Sequence, residues 1–282
     1  MENVAALEKK LLHDVGRAIA DFALIDDGDQ ILVGMSGGKD SYVLFHLLRL
    51  LQKRAPVRFE LVAFHLDQGH PNFPVHTIES YLKSEGVAYR IERVDTYSIV
   101  KEKIPEGDMT CSLCSRLRRG IIYNWAPKYG CNKIALGHHQ DDAIETVLLN
   151  MFFNGRIRGM AARLVSEDQR NVVIRPLIYA PEDRIAAYAR AKGFPVVPCV
   201  LCSEQEGAER AILKELLTSL EARSPGVKSR MGAALGNVEL ASLLDVRFAG
   251  HGSERTDAND SDTDVGLPRV PRAGVATRLP IL

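Results

Sequence analysis

Over residues 1–22 the chain sets apolar residues at helical intervals among acids and lysines, which predicts an amphipathic helix rather than a secretory signal. From Asp29 to Met35 the pattern changes to a continuous apolar run behind an Asp/Gly turn, as expected of a buried strand in a parallel sheet. Helical spacing returns over Asp40–Arg54, a second strand pattern covers Phe59–Leu66, and Thr77–Gly86 reads as a helix stopped by glycine. Ala88–Glu92, Lys133–Gly137 and Val172–Pro176 read as short strands, with helices over Asp142–Phe152 and Pro181–Lys192. This alternation predicts an α/β fold, a mostly parallel sheet with helices on both faces and ligands at the carboxyl ends of its strands. From about Ala249 onward Gly, Ser, Asp and Pro dominate without periodicity, which predicts a disordered tail.

Composition narrows the class. Hydrophobic residues at 46% and charged residues at 26% are ordinary for a globular domain and leave no run long enough to span a bilayer, so the expected location is the cytoplasm. The 36 basic and 36 acidic residues cancel, so any polyanion contact must be local. Two basic clusters are candidates: Arg116, Arg118 and Arg119, and Arg156, Arg158 and Arg163; a solvated helix face explains each equally well. The amphipathic first helix either covers its own core or pairs with a second subunit, leaving a homodimer open.

Two loops carry candidate chemistry. Ser36, Gly37, Gly38, Lys39, Asp40 and Ser41 follow a strand and open a helix, where free backbone N–H groups and the helix dipole favour a bound phosphate. The glycines permit close approach, the serines and Lys39 add donors and a cation, and the Asp40 carboxylate lies where Mg²⁺ would neutralise pyrophosphate. The spacing is not that of a Walker loop. The second loop, LGHHQDD over 136–142, follows the strand KIAL: Gly137 allows backbone approach, and Asp141 and Asp142 either bind Mg²⁺ or cap the next helix. His138 and His139 serve as hydrogen-bonding residues more readily than as acid–base groups. His65, at the end of the second strand, is a candidate adenine neighbour.

Four of five cysteines form two C-x-x-C pairs, Cys111 with Cys114 and Cys199 with Cys202. Their spacing admits a closed zinc site, an iron–sulfur cluster or a redox pair. Cys131 stands apart and reads as a small buried apolar residue.

SGGKDS behind an apolar strand, followed by LGHHQDD, resembles the PP-loop ATP pyrophosphatases, which adenylate a carbonyl oxygen. The stretch TYSIVKEKIPEGDMTCSLCSRLRRG, with LDQGHPNFP before it and FPVVPCVLC after it, resembles the tRNA 2-thiocytidine synthetase (TtcA) family from about Leu11 to Leu217. The resemblance implies ATP-dependent adenylation of O2 of a tRNA cytidine, at position 32 of the anticodon loop, and its replacement by sulfur from a cysteine desulfurase. It also implies a 4Fe-4S cluster on Cys111, Cys114 and Cys202, with Cys199 as the alternative third ligand, and makes these cysteines and Asp40 the catalytic set. ATP and Mg²⁺ would use Ser36–Ser41, His65, Gly137 and Asp142. The chain departs from the family at Ser203, Glu204 and Gln205, where a Gly-Ser-Gln run is usual, and at Ser242, Leu243 and Leu244, where Ser-His-Leu is usual. The expected organisation is a PP-loop ATPase and thiolation domain over 1–223 and a divergent C-terminal segment over 224–282. Two other readings fit the residues: a PP-loop enzyme activating a small-molecule carbonyl, and a zinc-stabilised nucleotide-binding protein without turnover.

Overall fold

The computed structural model describes residues 3–103, 111–197 and 208–248, except the side chains at 111, 112 and 208. The expected disordered tail from about 249 lies outside these residues. Six strands form one sheet: β1 (Asp29–Gly34), β2 (Phe59–Asp67), β3 (Tyr89–Arg93), β4 (Lys133–Ala135), β5 (Arg163–Val165) and β6 (Val172–Ile174), in the order β3-β2-β1-β4-β6-β5. Every pair is parallel except β5 with β6. The antiparallel edge strand β5 went unpredicted because its three residues are all exposed and carry no burial pattern.

The helices are α1 (Val4–Asp21), α2 (Lys39–Gln52), α3 (Val75–Ser84), α4 (Thr96–Lys103), α5 (Cys111–Lys128), α6 (Gln140–Asn154), α7 (Glu182–Lys192), α8 (Ala208–Arg223) and α9 (Val227–Ala234). The main core joins β1, β2 and α2 to α1 and α7, with Leu32, Phe64 and Ile134 packing separately toward α5. The apolar stripe of α1, Leu7, Leu11, Val15 and Ala18, is buried in this core, so the helix covers its own chain. A third cluster sets Ile144 and Leu148 of α6 against Leu213 and Leu217 of α8, with Met231 of α9 packed beside them. No helix among the described residues is long and apolar enough to cross a membrane.

The amino end of the sheet holds a buried ion pair. Lys133 of β4, 3% exposed, places Nζ 2.6 Å from Asp29 Oδ2 and 2.7 Å from Asp26 Oδ2, and donates to the Leu24 carbonyl at 3.0 Å. Asn132 donates to the other Asp29 oxygen at 2.8 Å. This network ties β4 to β1 and to the turn before β1, at the opposite edge from the loops that follow the strands. Removing one partner strands a buried charge at a cost of about 3–5 kcal/mol. Lys133→Ala is therefore expected to lower the urea unfolding free energy by about that amount, while ATP affinity measured on the folded fraction stays unchanged.

Candidate active site

The chain leaves β1 for β2 on one side, yet β4 pairs on the other, so the strand order reverses at β1. Ligands bind outside the carboxyl ends of strands at such a switch point. Both predicted loops lie there, residues 36–38 running from β1 into α2 and residues 136–139 from β4 into α6.

In the first loop, Gly37 takes a left-handed conformation (φ +87°), and Gly38 is the N-cap of α2 without a side-chain cap. The first-turn N–H groups therefore meet whatever lies ahead of the helix. Ser36 Oγ accepts from Gly38 N at 3.2 Å, and Ser41 Oγ donates to Gly38 O at 2.8 Å, so both serines hold the loop's shape. Lys39 Nζ donates to Glu182 Oε1 at 2.8 Å and lies 3.3 Å from Asp40. Burial disfavours the Lys39 ammonium, but the Glu182 and Asp40 carboxylates outweigh it and hold the ammonium above its ordinary range. Burial raises the Asp40 carboxyl, against the opposing pull of Lys39 and His139. Its Oδ1 is buried without a hydrogen-bond partner. That oxygen lies 3.3 Å from the Lys39 ammonium, and a carboxylate so placed beside an open helix N-terminus suits a cation bridging it to phosphate.

The second loop touches the first. A Cβ on Gly137 would lie 3.2 Å from the carbonyl carbon of Asp40 and 3.3 Å from its Cβ and O, so a side chain here would push the two backbones apart by a few tenths of an ångström. The aspartate pair caps two helices. Asp142 Oδ2 accepts from His139 N at 2.9 Å while His139 Nδ1 accepts from Asp142 N at 3.4 Å, a capping box on α6. Asp141 Oδ2 accepts from Glu182 N at 2.8 Å, capping α7, and its Oδ1 receives Lys228 Nζ at 2.8 Å. Burial pushes the Asp141 carboxyl up, but Lys228 and the Glu182 N–H outweigh it and hold the group below the usual carboxylate range. Since His139 Nδ1 accepts, its proton sits on Nε2, 3.9 Å from Asp40 Oδ1. His138 Nδ1 faces Arg175 Nε at 3.2 Å, and burial together with this guanidinium pushes its pKa down to about 4, so at neutral pH it is an uncharged acceptor.

His65 is buried, its Nδ1 donating to Met35 O at 2.7 Å and its ring stacked on Phe73 at 5.6 Å. Its Nε2 is buried without a partner, an acceptor at the end of β2. Cys114 lies in the first turn of α5, with Sγ 3.3 Å from Gln68 Oε1, one residue past β2. Cys111 begins the same helix. Cys199 and Cys202 lie outside the described residues; the last residue before them, Val197, donates its N–H to Gly37 O at 2.9 Å. The chain therefore passes the phosphate loop immediately before the second cysteine pair. Arg118 Nε is buried without a partner among the described residues. Cys131 is buried, and burial pushes its thiol up to about 11, as suits an apolar filler.

Three residues of this site were missed in the sequence. Glu182 carries only the signal of an acid at a helix start, and nothing local joins it to Lys39 at a separation of 143 residues. Lys228 and Arg175 are single basic residues whose partners, Asp141 and His138, lie far away in sequence.

A model of the PP-loop domain matches residues 7–197. The tRNA-cytidine(32) 2-sulfurtransferase of Acidovorax ebreus is 53% identical over 239 residues, covering 85% of this chain and 75% of the relative. The enzyme of the same name from Pseudomonas aeruginosa is 51% identical over 257 residues, covering 91% and 94%. Among solved structures, the U34-tRNA thiolase NcsA of Methanococcus maripaludis, determined with its 4Fe-4S cluster, superposes with a TM-score of 0.67 at 23% identity, covering 86% of this chain and 84% of that one. This likeness establishes the fold.

Overpacking a tight contact costs about 1–3 kcal/mol. Gly137→Ala is therefore expected to weaken ATP binding roughly ten-fold by titration calorimetry, with an unchanged far-ultraviolet circular dichroism spectrum. Undiminished affinity would show that the two loops do not form one binding surface.

Proposed function

We propose, because the chain belongs to the PP-loop family of tRNA-cytidine(32) 2-sulfurtransferases, that it carries out ATP-dependent thiolation of tRNA, replacing O2 of the cytidine at position 32 of the anticodon loop by sulfur. The observation that carries this reading is the convergence of the two loops on one switch point, with the helix carrying Cys114 one strand away.

ATP binds with its phosphates at the uncapped start of α2, where Lys39 exchanges Glu182 for the phosphate oxygens. Ser36 and Ser41 keep the loop shaped for that contact. His65 offers its unpaired Nε2 as an acceptor to the adenine amino group. Cytidine O2 attacks the α-phosphorus: an O–P bond forms, the bond to the β-phosphate bridge breaks, and pyrophosphate leaves. Sulfur then bonds to C2, and the C2–O bond breaks with AMP as leaving group. Mg²⁺, held by Asp40 and the remaining oxygen of Asp142, would neutralise the departing pyrophosphate. A 4Fe-4S cluster would be held by Cys111, Cys114 and Cys202, with Cys199 as alternative to the last, and would supply sulfide for the transfer. The half-buried Cys114 at the carboxyl edge of β2 fits that role in position and chemistry. Arg118 or Arg119, on the same helix as Cys114, positions phosphate or the RNA backbone. The target base must be unpaired to reach the site, which an anticodon-loop nucleotide satisfies. We place the enzyme in the cytoplasm with its tRNA, supplied with sulfur by a cysteine desulfurase.

Protein purified without oxygen is expected to contain about four iron and four labile sulfide per chain and to form 2-thiocytidine in tRNA when given ATP, Mg²⁺ and sulfide. Cys114→Ser should abolish thiolation while ATP affinity stays within about two-fold. Stoichiometric zinc without iron would make the thiols structural and overturn the cluster assignment.

A further inference from the structure

The carboxyl half of α6 and the loop after it form a surface that the site described above does not use. α6 buries Ile144 and Leu148 against α8, but one turn later it outruns that packing. Met151, Phe152 and Phe153 are 45%, 56% and 42% exposed, and Ile157 in the loop is 65% exposed. Interspersed with them are Arg156, Arg158 and Arg163, all exposed and in no ion pair among the described residues. No acidic residue occurs between Glu145 and Glu167, so in a chain of zero net charge this segment is locally cationic.

The loop's backbone is held in shape. Gly155 ends α6 in the left-handed conformation, Asn150 Nδ2 donates to Arg158 O at 2.7 Å, and Arg175 fastens its far end by donating from its guanidinium to Ala161 O at 2.5 Å and from its backbone N–H to Ala162 O at 2.9 Å. Arg175 Nε meanwhile meets His138 in the second nucleotide loop. One half-buried guanidinium thus joins the far end of this loop to the reacting site. Large apolar side chains left in water are costly unless a partner covers them. Aromatic rings among unpaired arginines match a strand whose bases stack and whose phosphates are anionic.

We infer that Phe152, Phe153, Ile157, Arg156, Arg158 and Arg163 form a docking surface for single-stranded or loop RNA, which stacks bases on the phenylalanines and sets phosphates on the arginines while the target base enters the site beyond Arg175. The inference rests on the tRNA reading above and adds to it where the RNA lies. Charge complementarity selects RNA over a second copy of the chain, because a symmetric pairing about this face would bring like charges together.

The test is fluorescence anisotropy of unmodified tRNA carrying cytidine 32 with the full-length holoenzyme, across a series of NaCl concentrations. Each phosphate contact contributes about 0.7–0.9 to the slope of log affinity against log salt. The Arg156→Gln, Arg158→Gln, Arg163→Gln triple variant should reduce that slope by about 2 and weaken binding at least roughly ten-fold. Phe152→Leu with Phe153→Leu keeps apolar bulk but removes the rings, and should weaken binding roughly ten-fold with the slope unchanged. Both variants should bind a fluorescent ATP analogue like the parent, which certifies their fold, and Arg58→Gln, at the amino end of β2, should change nothing. Parental tRNA affinity and slope in both variants would overturn the docking surface while leaving the thiolation reading intact. The same holds if sedimentation shows that they split a dimer without changing tRNA affinity per chain, which assigns the face to a second copy. If the parent itself binds no tRNA, the thiolation reading fails and this inference falls with it.

Discussion

The site depends on one close approach: the backbone of Gly137 against the backbone of Asp40. Parallel strands deliver both post-strand loops to the same edge of the sheet, and the reversal of strand order at β1 makes them neighbours. A Cβ at position 137 would press on Asp40 and force the loops apart by a few tenths of an ångström; its absence lets the starts of α2 and α6 act together. Lys39, Asp40, His139 and the aspartate pair then crowd into one space, although two loops a hundred residues apart supply them.

Crowding of that kind needs charge compensation, and the network around Asp141 provides it. Asp40, Asp141, Asp142 and Glu182 are all within reach of His139 or Lys39, and burial alone would neutralise such a group of carboxylates. Lys39 balances Glu182, Lys228 balances Asp141, and the N–H groups of His139 and Glu182 take further oxygens. The same bonds fix the starts of α6 and α7, so the electrostatics and the placement of the helices are one construction. Asp40 is the exception, with one buried oxygen that accepts no hydrogen bond among the described residues and has the Lys39 ammonium 3.3 Å away. A surplus of acceptor capacity in the phosphate loop is what a site for a magnesium nucleotide requires.

The two ends of the sheet divide their work. At the amino end, the fully paired Lys133, Asp29, Asp26 and Asn132 group joins β4 to β1 and serves stability. At the carboxyl end, Asp40 Oδ1 and His65 Nε2 are buried without a hydrogen-bond partner among the described residues. Arg175, which meets His138 at that end, also holds the carbonyls of Ala161 and Ala162 in the loop after α6.

The sequence by itself determined the two nucleotide loops and the elements that flank them, because strand, glycine turn and helix start are local patterns set by backbone sterics and burial period, but it did not mark out α4, α5, α8 or α9. The five strands and five helices predicted from periodicity stand within a few residues of where it put them, and the α1 stripe identified a core face. The edge strand β5 gave no sign, since an exposed strand of three residues has no pattern to read. Sequence likewise left Asp141 and Asp142 between metal binding and capping, and it could not say which helices they would cap. Tertiary structure alone decided that Asp141 caps α7, that Glu182 holds Lys39, that Lys228 reaches Asp141 and that Arg175 joins His138 to the basic loop. These pairings span tens of residues to nearly one hundred and fifty along the chain. Short-range pattern encodes which side chains an element presents, whereas which charges meet depends on how the strands are ordered and where the chain crosses back.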